Sequence, residues 1–371
     1  MHEVVPRKIV FFLSTMNCGG AERVALLLSA AMADLGCQVY LVLARREGSF
    51  LEYVSKSVEI ISLDCGKPIK GVFEFGRVIR RLRPDAVISF GIHAGIASAF
   101  SKSWCRFPQP LLVRNESNIA VEWRRDRFHN SVVGPLLSRW MARKSTVICV
   151  SHALRKPTAD FLRTRLDQVE VVLNPVFPIT EVCDEAEIHP WLLRKSCPTF
   201  IAMGRLEEQK DFVTLLRAFR LVLDEIPCKL VIFGEGALRG ALGDLCTELD
   251  MNASVDFPGV TRSPSLQMRS ATGFVLSSRW EGFGLVLVEA LAAGAAVIAT
   301  DCDFGPAEIL DGGRYGALVP VQDEAALAKA IIDLAKDRNA CARPGAEWYA
   351  QFDARIAALK HLEVVEKAIT R

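Results

Sequence analysis

Short apolar runs recur along the chain, each bounded by glycine, proline or polar turn residues and most followed by a stretch with helical apolar spacing. Residues 8–13 read as a buried strand. Gly19 and Gly20 follow, and residues 21–35 carry an amphipathic helix that ends at Gly36. Residues 38–44, 58–63, 85–90, 146–150 and 169–173 are further strands, and Ser151 suits a helix N-cap. Prolines 175, 178, 190 and 198, with acids between them, break the rhythm and read as a linker. Beyond it the alternation restarts. Strands are expected at 199–203, 229–233, 254–257, 273–277, 296–300 and 315–319, with helices at 211–225, 236–249, 323–337 and 352–369. Continuous apolar strands alternating with helices predict parallel sheets covered on both faces. The fold class is therefore α/β, with two doubly wound, Rossmann-like domains meeting at a cleft. The boundaries fall at 1–175, 176–197 for the linker and 198–351. In such sheets ligands bind beyond the carboxyl ends of the strands, so the loops there are where chemistry is sought.

Composition narrows this picture. Half of the 371 residues are hydrophobic, which guarantees a sizeable core and excludes general disorder. The most apolar stretch, 285–300, is 16 residues long and includes Glu289 and Gly294, too short and too polar for a spanning helix. No secretory leader is read at the N-terminus. Eleven cysteines scatter singly with no Cys-x-x-Cys, which predicts small core residues in a reducing compartment rather than a zinc or disulfide framework. The six histidines show no metal-ligand spacing, so no metal is expected. The net charge of +2 hides an asymmetry: residues 1–175 hold 25 basic and 15 acidic side chains, the remainder 20 and 28. A basic first half suits phosphates, of nucleic acid or of an anionic membrane. Nucleic acid is disfavoured, because no aromatic-basic sheet motif is present.

Three loops carry candidate chemistry. Gly19-Gly20-Ala21-Glu22 lies between the first strand and its helix, where backbone N–H groups and a helix N-terminus favour an anion. It is not Gly-x-Gly-x-x-Gly, and an ordinary tight turn is the bland alternative. Gly204-Arg205-Leu206 follows a strand, with Lys210 five residues after Arg205. Two cations there suit a diphosphate, although ion pairs with Glu207 or Glu208 would explain them equally. Glu281-Gly282-Phe283-Gly284-Leu285 then leads to Glu289, a carboxylate in an otherwise apolar helix. It needs a partner, and sugar or ribose hydroxyls are natural ones; a buried ion pair is the alternative.

These motifs together resemble the retaining glycosyltransferase family 4 (group 1). Glu281 and Glu289 with seven residues between, in the context Glu-Gly-Phe-Gly-Leu-x-x-x-Glu-Ala-x-Ala-x-Gly, look like its signature. Gly204-Arg205-Leu206 with Lys210 resembles its diphosphate clamp, and Gly19-Gly20-Ala21-Glu22 its N-terminal glycine loop. Residues 304–310, Phe-Gly-Pro-Ala-Glu-Ile-Leu, resemble a subgroup that builds bacterial surface polysaccharides and lipid-linked oligosaccharides. The resemblance implies a GT-B fold and transfer from a nucleotide-diphosphate sugar with retention. Arg205 and Lys210 would neutralise the leaving diphosphate. Gly19, Gly20 and Gly282, Phe283, Gly284 and Leu285 would hold phosphate and sugar. Glu281 would contact donor-sugar hydroxyls and Glu289 the ribose. The co-substrate would be a nucleotide sugar, UDP by subgroup similarity, with no other cofactor. A helix at about 352–371 would return to the first domain.

The chain departs from the family at one place. Many members carry a histidine after an N-terminal strand, and the matching stretch here is Leu-Leu-Val-Arg-Asn-Glu-Ser over 111–117. Arg114, Asn115, Glu116 or His93 is expected in its stead. Trp123, Arg124, Arg125, Arg127, Phe128, Trp140, Arg143 and Lys144 mix aromatics with cations and are expected to touch an anionic membrane, with a glycan acceptor that is lipid-linked. This places the protein in the cytoplasm, peripherally on the inner face of the membrane. Arg77, Arg80, Arg81 and Arg83 read as a solvated helix end. The alternatives are an epimerase or phosphorylase on the same scaffold, or a non-catalytic partner subunit. A phosphorylase should carry a pyridoxal-phosphate lysine region, and none is read. A non-catalytic subunit should have lost Glu281 or Lys210, and both are present.

Overall fold

The computed structural model describes residues 7–17, 19–125, 133–176, 185–194, 196–337 and 341–370. The chain forms two compact units: residues 1–177 with 350–371, and residues 178–349.

Unit 1 begins with β1 (Lys8–Leu13), α1 (Gly20–Asp34), β2 (Gln38–Leu43) and β3 (Val58–Ser62). It continues with α2 (Val72–Leu82), β4 (Ala86–Phe90), α3 (Ile92–Cys105) and β5 (Leu111–Asn115). Then come α4 (Ile119–Arg125), α5 (Val133–Ala142), β6 (Thr146–Cys149), α6 (His152–Leu162) and β7 (Val169–Val171). Its seven strands are all parallel, in the order β3-β2-β1-β4-β5-β6-β7. The alternation within β1 shows why both faces are covered. Val10 and Phe12 enter a core with Phe75 and Ile79 of α2, while Phe11, also fully buried, meets Phe90 from the same sheet. Ser151 caps α6 by accepting from the Leu154 amide at 3.2 Å. Arg77, Arg80, Arg81 and Arg83 are exposed at the end of α2, a solvated helix end as expected, and Arg80 also has a partner. Its Nε donates to the Cys105 carbonyl at 2.8 Å and so satisfies the C-terminus of α3.

Unit 2 opens with α7 (Pro190–Arg194), inside the stretch read as a linker. His189, just before it, hydrogen bonds Asp256 at 2.9 Å, and Gln267 accepts from the His189 amide at 3.0 Å. This segment is thus bonded into unit 2. There follow β8 (Thr199–Met203), α8 (Phe212–Glu225), β9 (Lys229–Phe233), α9 (Arg239–Glu248), β10 (Val255–Gly259) and α10 (Pro264–Ser270). The unit ends with β11 (Gly273–Leu276), α11 (Leu285–Ala292), β12 (Val297–Thr300), α12 (Pro306–Ile309), β13 (Ala317–Val319), α13 (Glu324–Lys336) and α14 (Ala346–Ala350). The six strands are parallel, in the order β10-β9-β8-β11-β12-β13. α9 starts three residues later than its apolar spacing suggests, because the chain at Gly236 passes so close to the Leu206 backbone that a Cβ there would come within 2.5 Å.

The last helix, α15 (Ala354–Ile369), belongs to unit 1 and packs on α1. Asp353 caps it, accepting from the amides of Arg355 and Ile356. Its outer residues reach other parts of unit 1: Glu366 pairs with Arg7, and Lys367 lies 3.5 Å from Glu170.

Candidate active site

In each sheet the strand order reverses once, between β1 and β4 in unit 1 and between β8 and β11 in unit 2. The loops leaving two adjacent strands diverge there and open a crevice. In unit 2 these loops are 204–211, after β8, and 277–284, after β11. They hold Arg205, Lys210 and Glu281.

Lys210 and Glu281 meet. Lys210 Nζ lies 2.5 Å from Glu281 Oε1, with side-chain exposures of 15% and 7%. Ser278 Oγ donates to the same oxygen at 2.6 Å. The backbones of the two loops are stitched together around the pair. Ser277 Oγ donates to the Lys210 carbonyl at 2.7 Å, and the Arg279 amide to the Gln209 carbonyl at 2.9 Å. Gln209 Nε2 returns a bond to the Trp280 carbonyl at 3.0 Å. Beside them Asp211, buried and left-handed at φ 47°, accepts from Thr214 Oγ1 and from Arg279. A buried ion pair contributes little net stability, since desolvation offsets attraction. So much scaffolding around one such pair at a switch point makes it the candidate site of unit 2. Cys302 reports the same environment. Burial first, and then the Glu281 carboxylate, push its thiol up to about 12 against the opposing charge of Lys210.

The remaining expected residues of unit 2 fall around this pair. Arg205 takes a different partner, Glu207 at 3.2 Å, and its side chain is 60% exposed. Gly282, Phe283 and Gly284 are buried, and Gly284 is the left-handed N-cap of α11 at φ 88°, a conformation that favours glycine. Phe283 is pinned from behind, because Gly305 approaches its carbonyl so closely that a Cβ would come within 1.9 Å. Leu285 opens α11, and Glu289, half-buried, lies one turn in.

Unit 1 places its candidates unevenly. Gly19 is the extended N-cap of α1 and Gly20 its first residue. The Glu22 carboxylate folds back over this helix start, 2.3 Å from where a Cβ on Gly19 would stand. His93, exposed on the first turn of α3 after β4, is at the unit 1 switch point and meets the Trp123 ring edge-on at 5.2 Å. Arg114 and Asn115 are not where a ligand contact was expected. Arg114 is fully buried at the end of β5. Its guanidinium donates to Glu116, to His361 of α15 and to Asn174, so each of its three nitrogens is engaged within unit 1. Asn115 is buried and donates to Thr158 Oγ1 at 3.0 Å. Of the three only Glu116 keeps partial exposure, 16% of its side chain. Trp123, expected at a membrane, is also buried, with Nε1 donating to Ser138 Oγ at 3.0 Å. Arg127 and Phe128, and the side chains of Arg124 and Arg125, lie outside the described residues.

Two features escaped the motif reading. Ser278 bonds Glu281 from within the same loop, and the Asp211–Arg279 pair ties that loop to the one after β8. Among the described residues, no three His, Cys, Asp or Glu side chains converge as a metal site would require.

Comparison with known proteins fits this arrangement. Residues 18–178 match the family described as Glycosyltransferase Family 4, and residues 184–350 match Glycosyl transferases group 1. The chain belongs to glycosyltransferase family 4, group 1. This family is retaining, and its members use nucleotide sugars. One relative is the N-acetylgalactosamine-N,N'-diacetylbacillosaminyl-diphospho-undecaprenol 4-alpha-N-acetylgalactosaminyltransferase of Campylobacter jejuni, 24% identical over 89% of this chain and 91% of its own. The uncharacterized glycosyltransferase MJ1059 of Methanocaldococcus jannaschii is 40% identical over 66% of this chain and 62% of its own. Among solved structures, Anabaena Alr3699/HepE in complex with UDP superposes with a TM-score of 0.79 at 20% identity, over 97% of this chain and 100% of that one. This likeness shows the fold, which is GT-B.

Proposed function

We propose that this glycosyltransferase moves a hexose or N-acetylhexosamine from a UDP-sugar to a lipid-linked or polysaccharide glycan, at the cytoplasmic face of a membrane and without a metal ion. The observation that carries the donor assignment is the buried Lys210–Glu281 pair at the unit 2 switch point. An ammonium and a carboxylate held together in this way can be separated productively by one ligand. A diphosphate takes over Lys210, and sugar hydroxyls take over Glu281. Leaving-group charge would be stabilised by Lys210, by Arg205 once it leaves Glu207, and by the N-terminus of α11, so no metal is required for that role. Retention then follows from attack on the face the diphosphate leaves, with a departing phosphate oxygen accepting the acceptor proton. Glu289, half-buried one turn into α11, is assigned to the ribose. His93 and Glu116, the candidates of unit 1 that keep exposure, are assigned to the acceptor side.

The relatives support the substrate classes. The Campylobacter enzyme is named for an undecaprenol-linked acceptor, and another relative, AmsD of Erwinia amylovora, for amylovoran biosynthesis. The Anabaena structures hold UDP and UDP-glucose. Thermal unfolding with UDP, GDP, ADP and CDP in the presence of a chelator tests the reading. UDP at 100 times its Kd should stabilise by about 2.7 kcal/mol, with a larger shift for one UDP-sugar. A selective response to another nucleotide would replace the UDP assignment, and a shift abolished by the chelator would end the metal-free one.

A further inference from the structure

The sheet of unit 1 has a second edge, where its strands begin, opposite the edge that carries His93 and Glu116. A cavity of about 460 Å3 lies there, against the start of β6, the end of α5 and the segment 162–168 that leads to β7. Arg139, Arg143, Arg163 and Arg165 line it, and no carboxylate does. Helix ends explain only part of this charge. α5 and α6 both finish here, and a helix C-terminus carries about half a negative charge, so the two together offset about one cation. Arg139 takes that role: its Nε donates to the Phe161 carbonyl, in the last turn of α6, at 3.0 Å. Arg165 leans on Asp167 at 2.6 Å, an exposed pair that contributes little. The guanidiniums of Arg143 and Arg163 are exposed and have no partner among the described residues. A second cavity, of about 750 Å3, shares Arg143 with the first and adds Lys102 and Lys144. Burial first, and then the Lys144 charge, lower the Lys102 pKa, so these ammoniums are close enough to oppose each other. The carboxylate that lines this second cavity, Asp85, is already engaged, by Arg7 at 3.7 Å and by the Lys8 amide at 2.7 Å.

We propose that this edge of unit 1 is a non-catalytic anion site that takes a soluble di- or triphosphate group, free or carried by a small molecule. A guanidinium presents paired donors that match phosphate oxygens, and two of them here are unengaged. Several cations gathered in one place oppose the compact state, so a ligand bearing several negative charges is favoured over a single carboxylate. The first cavity has the size of a small-ligand site, and Arg143 belongs to both cavities, so one chain of phosphates can reach from one to the other. Occupancy ties the end of α5 to Arg163 beyond α6 and stabilises unit 1. None of these residues belongs to the donor site of unit 2.

The experiment is thermal unfolding of the full chain with sodium tripolyphosphate, beside sodium chloride at matched ionic strength, with and without saturating UDP. Tripolyphosphate should raise the Tm saturably, beyond the chloride control, and should do so equally when UDP is already bound. R143Q/R163Q should raise the apparent Kd for tripolyphosphate at least about tenfold, the scale of losing one charged hydrogen bond, with unchanged circular dichroism and an unchanged shift with UDP. A rise no larger than that with chloride would reduce the effect to screening and overturn the proposal. So would a wild-type response in R143Q/R163Q, or one that saturating UDP abolishes, which would put the anion in the donor site. Sedimentation with phosphatidylglycerol vesicles and no response to free tripolyphosphate would also overturn it, giving these cations to a lipid surface. No shift with UDP alongside an intact tripolyphosphate response would instead remove the donor reading and leave this site standing.

Discussion

Each unit buries a cation near the carboxyl end of its sheet, and the two cations behave differently. Arg114 of unit 1 has no exposed surface and divides its three nitrogens among Glu116, His361 and Asn174. Lys210 of unit 2 keeps 15% exposure and leans on one carboxylate and its serine. The first is closed on every side by the chain that surrounds it. The second has one partner that a ligand can displace. Position beyond a strand end is shared by both, so it does not distinguish them; residual exposure and the number of partners do.

The comparison breaks most visibly at Lys210. Lys210→Ala should reduce turnover by about 10²–10³-fold, the scale of losing one charge-stabilising donor. The orphaned Glu281 should also lower stability, whereas Glu281→Gln keeps a hydrogen-bonding oxygen for Lys210 and Ser278 and should stay folded while losing turnover. Steady-state rates on a UDP-sugar, beside thermal melts, separate the two effects. Full activity in both variants would remove the pair from the reaction. Arg114→Met should act the other way. Breaking a buried, hydrogen-bonded charge costs about 3–5 kcal/mol, to be read as unfolding of unit 1, while the UDP response of unit 2 persists. A stable Arg114→Met protein with weakened donor affinity would make Arg114 a ligand contact after all.

The smallest effect sharpens the contrast through pH. The Ala357 carbonyl can only accept and the Arg114 guanidinium can only donate, so His361 is neutral, with its proton on Nδ1. Burial, reinforced by the Arg114 charge, lowers its pKa from 6.5 to about 3. Below pH 6.5 the unfolded chain therefore binds a proton that the folded one refuses, and stability falls as pH drops. About 2 kcal/mol should be lost between pH 8 and pH 5. His361→Gln should flatten that slope in denaturant titrations; an unchanged slope would place the acid sensitivity elsewhere.

Much of this was legible in the residues. The strands were, because a parallel sheet covered on both faces demands uninterrupted apolar runs such as Ile9 to Leu13. Lys210 and Glu281 were, because glycine-framed loops after strands announce them. The burial of Arg114 was not, since its partner His361 is 247 positions away on α15. Nor was the Asp211–Arg279 pair visible as a support, because only the adjacency of β8 and β11 brings its two loops together. The proline-rich stretch before residue 198 misled for a similar reason. Local composition says linker, yet His189 and Gln267 bond it into unit 2.

Unit 1 is made from both ends of the described chain, and this sets an order of events during synthesis. When residues 8–176 have left the ribosome, Arg114 still lacks His361 and α1 still lacks α15. At about 5–20 residues per second, roughly ten to forty seconds pass before residues 354–369 arrive. All of unit 2 is synthesised within that interval, so its residues are available to fold before unit 1 has its last helix. Unit 1 must keep an uncovered helix flank and an under-partnered arginine from aggregating until the end of the chain returns to it.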